Sequence, residues 1–174
     1  MQILEPLFDF RRGQNQYRPI LLKISPDISN EEVDRMADIM IDTPLDGIVA
    51  VSGTNRRQGL ATTFGSVAKV GSGRLGGKPL HSRALEVVSR IYQRAKGTYP
   101  IIGVGGIMTA EEAQQMLRAG ASLVQLYSGL VYGGPSIAGD ICRAMAPKAE
   151  PNAKESMPSV ETPVAESQSE SKTL

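Results

Sequence analysis

Three stretches of this chain carry residue types that could do chemistry. One is a lysine inside an apolar run, Pro19-Ile-Leu-Leu-Lys-Ile24. The other two are apolar runs that end in glycines, Pro100-Ile-Ile-Gly-Val-Gly-Gly-Ile107 and Ala119-Gly-Ala-Ser-Leu-Val-Gln-Leu-Tyr-Ser-Gly129. Gly103, Gly105 and Gly106 lack a Cβ, so the backbone there can turn sharply after a strand and bring its amides close to an anion. A helix starting near Ser128 and Gly129 would point further free amides at the same spot. A single glycine-rich turn is as readily explained by chain reversal alone. Two in succession, each closing an apolar run, fit the phosphate site that adjacent strands of a parallel α/β barrel build at their C-terminal ends. Lys23 has two readings. If buried in a sheet it must find a partner or lose its charge, and at a barrel-strand end it would stabilise an anionic cofactor or intermediate. At a sheet edge its stem would carry the ammonium to water.

The remaining reactive side chains carry weaker signals. His81, the one histidine, follows Pro79-Leu80 just before a helix, and no sequence neighbour would orient it as a base, so it is read as solvated. Cys142, the one cysteine, excludes an internal disulfide and lies in the last helical pattern, where a nucleophile is improbable. Arg11-Arg12 and Arg56-Arg57 are read as solvated basic pairs, the second in a loop on the ligand side. No cluster has metal-ligand spacing. With 19 basic and 18 acidic residues the net charge is +1, which gives no electrostatic reason to expect nucleic acid or an anionic membrane. No run approaches the ~20 apolar residues of a membrane helix, and Met1-Gln-Ile-Leu-Glu-Pro lacks signal-peptide order, so the chain as given reads as cytoplasmic.

These residues need strands and helices in alternation to position them. Pro19–Ile24, Asp46–Val51, Pro100–Val104 and Ser122–Tyr127 read as strands covered on both faces. Ser29 with Glu32 and Thr109 with Glu112 fit capping boxes. Apolar stripes follow: Val33, Met36, Ala37 and Met40; Ala113, Met116 and Leu117; and, between the second and third strands, Leu85, Val88, Ile91, Tyr92 and Ala95. Ile3–Phe10 reads as a leading helix. Beyond Pro147 the sequence repeats Pro, Glu and Ser without apolar period, which predicts a folded part over 1–146 and a disordered tail over 147–174. Alternating strands and helices imply parallel pairing, in a (βα)8 barrel or an open doubly wound sheet. A full barrel needs ~250 residues, so the prediction is a half-barrel of about four βα units or a small open sheet.

Leu22-Lys-Ile-Ser-Pro-Asp-Ile-Ser29, Asp46-Gly-Ile-Val-Ala50, Leu75-Gly-Gly-Lys-Pro-Leu80, Pro100–Ile107, and Ala119–Gly129 followed by Gly134-Pro135 occur in this order. Together they resemble the C-terminal half of dihydroorotate dehydrogenase, most closely its quinone-using class. The resemblance implies an α/β fold, the C-terminal half of a TIM barrel that binds FMN. It also implies oxidation of dihydroorotate to orotate in pyrimidine synthesis. It places Lys23 beside the flavin, where a cation favours reduced FMN, and Gly77, Gly106, Tyr127 and Ser128 around the FMN phosphate. In that family a threonine and an asparagine at the second strand meet flavin and substrate. Here the Thr-Asn-Thr positions are Val51, Ser52 and Gly53, so Ser52 and Gly53 stand where substrate would be held, without fixed amide donors. A site built on such hydrogen bonds loses orders of magnitude when one is missing.

A second departure is Gly73-Arg-Leu-Gly-Gly77, where Arg74 replaces a glycine beside the phosphate loop and would either clash or add a charge. By resemblance, the first four strands carry the serine base, the first flavin loop and a substrate-binding lysine. The N-terminal helices that dock the quinone class peripherally on the inner membrane lie in that part too, outside this sequence. Three expectations follow. The chain is a dehydrogenase half completed by a missing N-terminal part, a noncatalytic FMN- or phosphate-binding half-barrel that self-associates to cover its edges, or an independent enzyme on a phosphorylated metabolite using Lys23.

Overall fold

The computed structural model describes residues 2–146; the predicted tail, 147–174, lies outside the described residues. After α1 (Leu4–Arg12), strands β1 (Leu21–Ile24), β2 (Gly47–Ala50), β3 (Ile101–Val104) and β4 (Leu123–Gln125) alternate with helices. The helices are α2 (Asn30–Asp42), α3 (Phe64–Val70), α4 (His81–Ala95), α5 (Ala110–Arg118), α6 (Ser128–Gly133) and α7 (Ile137–Met145). A 3-10 turn, Lys78–Leu80, leads into α4. The strands pair in parallel in the order β1-β2-β3-β4, so each connection passes to the next neighbour, as in one half of a (βα)8 barrel. Each strand is shorter than its apolar run, because the ladder ends before the run does.

Register separates the two faces of the sheet. Leu22, Ile48 and Ile101 align in one row, and Ile48 and Ile101 are fully buried under the helices. Lys23, Val49, Ile102 and Leu123 align on the other face. That face is open in this chain: Leu21 is 38% and Leu123 61% exposed. Lys23 is exposed on the same face, on β1 at the edge of the described sheet.

Both capping boxes form, Ser29 with Glu32 and Thr109 with Glu112. The stripes face the core, with Val33, Ala37, Met40, Val88, Ile91, Ala95, Ala113 and Met116 buried. Tyr92 departs from its stripe: it is exposed and packs over the glycine turns instead, a Cβ at Gly120 lying 2.3 Å from its Cγ. Arg90 pairs with Asp34 through two bonds of 2.7 and 2.6 Å, and Arg94 with Asp38 through two of 2.8 and 3.0 Å, tying α4 to α2.

Arg11 is not solvated as its sequence context suggests. It donates to Asp46 at 2.7 Å and to the Pro44 carbonyl at 2.8 Å, and its guanidinium lies 5.3 Å from the Phe8 ring centre. Asp46 also accepts the Ile20 amide at 2.6 Å and the Tyr17 hydroxyl, and so fastens α1 to the starts of β1 and β2. Burial alone would raise the Asp46 pKa. The Tyr17 and Ile20 hydrogen bonds and the Arg11 charge outweigh it and hold the carboxyl below its ordinary value.

Two outcomes follow from this packing. A carboxyl with a depressed folded-state pKa stabilises the fold above the ordinary carboxylate range, and that contribution fades as pH falls through the folded pKa. Asp46→Asn should therefore lower stability at pH 7 by about 1.5–3 kcal/mol, the scale of hydrogen bonds to a charged group. It should also flatten the loss of stability between neutral and acid pH, read by urea melts at several pH values; an unchanged pH profile would contradict the role. At Gly103 a Cβ would sit 2.3 Å from Met116 Cγ and 3.1 Å from the Ala121 methyl. Gly103→Ala should cost about 1–3 kcal/mol through overpacking, seen as a lower urea midpoint at unchanged slope.

Candidate functional site

Two loops that leave β3 and β4 and one that leads into α4 meet at contact distances that side chains would block. After β3, Gly105 and Gly106 have φ of +141° and +67°, a region that L side chains avoid. A Cβ on Gly106 would lie 2.9 Å from the Gly77 carbonyl oxygen and 2.7 Å from His81 Cβ. Gly77, at φ +85°, approaches Ser128, whose Cβ would be 3.5 Å from a Cβ there. Gly129 lies on the Ile107 carbonyl so closely that a Cβ would be 2.3 Å from the oxygen. Loops 76–77, 105–107 and 127–129 thus form one cradle of backbone and a serine hydroxyl. Helix α6 is six residues long, so its contribution to an anion is that of individual amides rather than a sizeable dipole.

The cradle is one wall of a cleft of about 320 Å³. Lys23, Ser52, Gly53, Gly77, Gly106, Tyr127 and Ser128 all line it, so every site residue singled out in the sequence reaches the same place. Tyr127 is 79% exposed there. Arg74 lines the cleft as well, and none of its lining residues is acidic. The glycine backbone and serine hydroxyl of the cradle, in a cleft without a carboxylate, are a donor set that fits a phosphate monoester.

The structure adds residues that sequence reasoning passed over. His81 is half-buried, not solvated: Nδ1 lies 3.1 Å from the Gly105 carbonyl and Nε2 3.0 Å from Gln115 Oε1. It therefore ties the glycine loop to the start of α4 and to α5. Thr54 is buried, donates to Asp27, and bridges to Leu75 through two backbone bonds of 2.9 and 2.7 Å. That bridge holds the loop after β2 against the loop before α4. The second arginine pair strengthens it: Arg56 lies 3.8 Å from Asp27, and Arg57 donates to the Thr54 and Gly73 carbonyls. Burial tends to raise the Asp27 pKa, but the Asn55 amide, the Thr54 hydroxyl and the charges of Arg56 and Arg74 together keep it below its ordinary value. Cys142 is exposed on α7, away from the cleft lining. Among the described residues there is no cluster able to hold a metal ion, and no helix is long and apolar enough to cross a membrane.

Comparison with known proteins agrees with the resemblance read from the sequence. The family model described as dihydroorotate dehydrogenase matches residues 6–148. A dihydroorotate dehydrogenase (quinone) of Rhodococcus erythropolis is 48% identical over 128 residues, which are 74% of this chain and 36% of that protein. One from Synechocystis is 44% identical over 135 residues, 75% of this chain and 35% of that protein. Among solved structures, that of DHODH from Eimeria tenella in complex with ferulenol superposes with a TM-score of 0.66 at 33% identity. The match covers 74% of this chain and 34% of that one. The chain thus spans about a third of the length of the curated relatives it matches. With four parallel strands in barrel order, a glycine cradle at their ends and a family match along nearly all of the described residues, this chain belongs to the dihydroorotate dehydrogenase family.

Proposed function

We propose that residues 1–146 supply the FMN-phosphate half of a dihydroorotate dehydrogenase barrel. The observation that carries this reading is the convergence of Gly77, Gly106 and Ser128 on one acid-free cleft with Lys23 on its wall. Family membership implies a flavin cofactor in general, and the glycine-and-serine cradle favours FMN. Bound FMN supplies the hydride acceptor for oxidation of dihydroorotate to orotate. This chain's residues act around it: Gly77, Gly106 and Ser128 hold the phosphate, and Lys23 places a positive charge where reduced flavin is anionic. By the resemblance, the serine that removes the substrate proton comes from the first four strands of the barrel. The relatives named for a quinone support a quinone as electron acceptor and, with it, access of the assembled enzyme to a membrane surface.

A second reading, a noncatalytic FMN-binding module that pairs with its own copy, is favoured by one observation. Among the described residues, the open face with Leu21 and Leu123 and the unpaired edges of β1 and β4 leave apolar surface and backbone donors free. Sedimentation at the concentrations used for ligand binding separates the readings, because only the second expects a defined FMN-binding dimer.

Titration of the full chain with FMN should give saturable quenching of flavin fluorescence. Ser128→Ala should weaken binding about tenfold or more, as expected for one hydrogen bond to a charged group, and Lys23→Ala should weaken it in the same direction. Gly106→Ala, which forces a Cβ against Gly77 and His81, should abolish it. A soluble chain that does not bind FMN at all would sink the proposal that its phosphate site is assembled.

A further inference from the structure

The two departures from the family pattern, at Ser52-Gly53 and at Arg74, meet in space. A Cβ on Gly53 would lie 2.8 Å from Arg74 Cβ and 3.2 Å from the Leu75 carbonyl oxygen. A side chain at 53 and an arginine at 74 therefore exclude one another, and the chain carries the combination that admits the arginine. Arg74 Nη1 donates to the Gly53 carbonyl at 3.1 Å and reaches Ser52 Oγ at 3.5 Å. These contacts aim the guanidinium along the cleft wall that the loop after β2 forms, where the resemblance expects an amide side chain.

The charge there has no direct ion-pair partner: no carboxylate is within ion-pair distance of Arg74 or of Lys23 among the described residues. Asp27 feels the Arg74 charge, but its oxygens are taken by the Thr54 hydroxyl, the Asn55 amide and Arg56. Guanidinium is planar and keeps further N–H donors beyond those spent on Gly53 and Ser52, in a fork that matches a carboxylate. A concave, acid-free wall with two cations concentrates positive potential and so selects for negative charge on whatever enters.

We propose that Arg74, seated by Gly53 and Ser52, is a specificity-determining residue that binds the carboxylate of a small second ligand in this cleft, in place of neutral amide recognition. The proposal rests on the FMN reading only in leaving the Gly77-Gly106-Ser128 end of the cleft to the phosphate.

The test compares orotate with uracil, which has the same ring without the carboxylate, by calorimetry on the full chain with and without saturating FMN. The chain should prefer orotate by about tenfold or more, the scale of a charge-assisted hydrogen bond. Arg74→Gly and Arg74→Met should bring the two ligands within about twofold, and Arg74→Lys should keep part of the preference. Gly53→Thr, which displaces Arg74 without removing it, should lose the preference as well. Circular dichroism shows whether each variant keeps its helices. Three results would overturn the proposal: no preference in the parent chain, an unchanged or stronger preference in Arg74→Gly, or loss of FMN but not riboflavin affinity in Arg74→Gly with the orotate preference intact. The last would assign the arginine to the flavin phosphate. Failure of FMN to bind defeats the function proposed above on its own, and the flavin-free titrations then decide the role of Arg74 by the same outcomes.

Discussion

Close approach of backbones at the strand ends is the constraint on which the site depends. The carbonyls of Gly77 and Ile107 lie where Cβ atoms on Gly106 and Gly129 would have to be, 2.9 and 2.3 Å away. Any side chain at either glycine would push the loops apart and open the cradle. The rest of the fold serves this approach. Four parallel strands bring the loops to one end of the sheet, capped helices α2 and α5 fix the crossovers, and His81 ties the Gly105 carbonyl to α4 and α5.

The same approach explains the asymmetry of the cleft. One end is backbone and hydroxyl, fixed by glycine geometry, and suits a phosphate. The other end is built by the loop after β2, which Thr54, Leu75 and Arg57 hold against the loop before α4. Because that end is set by side chains at 52, 53 and 74 rather than by the ladder, it can change ligand preference without disturbing the sheet. Fold and glycine cradle can stay those of the family while the end set by residues 52, 53 and 74 diverges.

Much of this was legible in the sequence, and the parts that were not share a cause. Strands declared themselves as apolar runs, and the capping boxes as a hydroxyl three residues before a carboxylate, because both signals are local. Lys23, Gly77, Gly106 and Ser128 were legible from glycine placement together with the family resemblance, and the structure gathers them in one cleft. Arg11 and His81 were misread because their partners are remote: Asp46 lies 35 positions from Arg11, and Gly105 and Gln115 lie 24 and 34 from His81. Helix α3 escaped notice since it buries no residue and so shows no stripe. The coupling of Gly53 with Arg74 was invisible for the reason that Arg11 was, a contact made across distant loops.

The most direct test of the account is an amide-proton NMR titration of the full chain with FMN and, separately, with riboflavin, which has the ring and lacks the phosphate. The account predicts that FMN shifts the Gly77, Gly106, Ser128 and Gly129 amides and that riboflavin leaves them in place. Equal shifts with both ligands, or FMN shifts confined to other residues, would contradict a phosphate cradle at the strand ends.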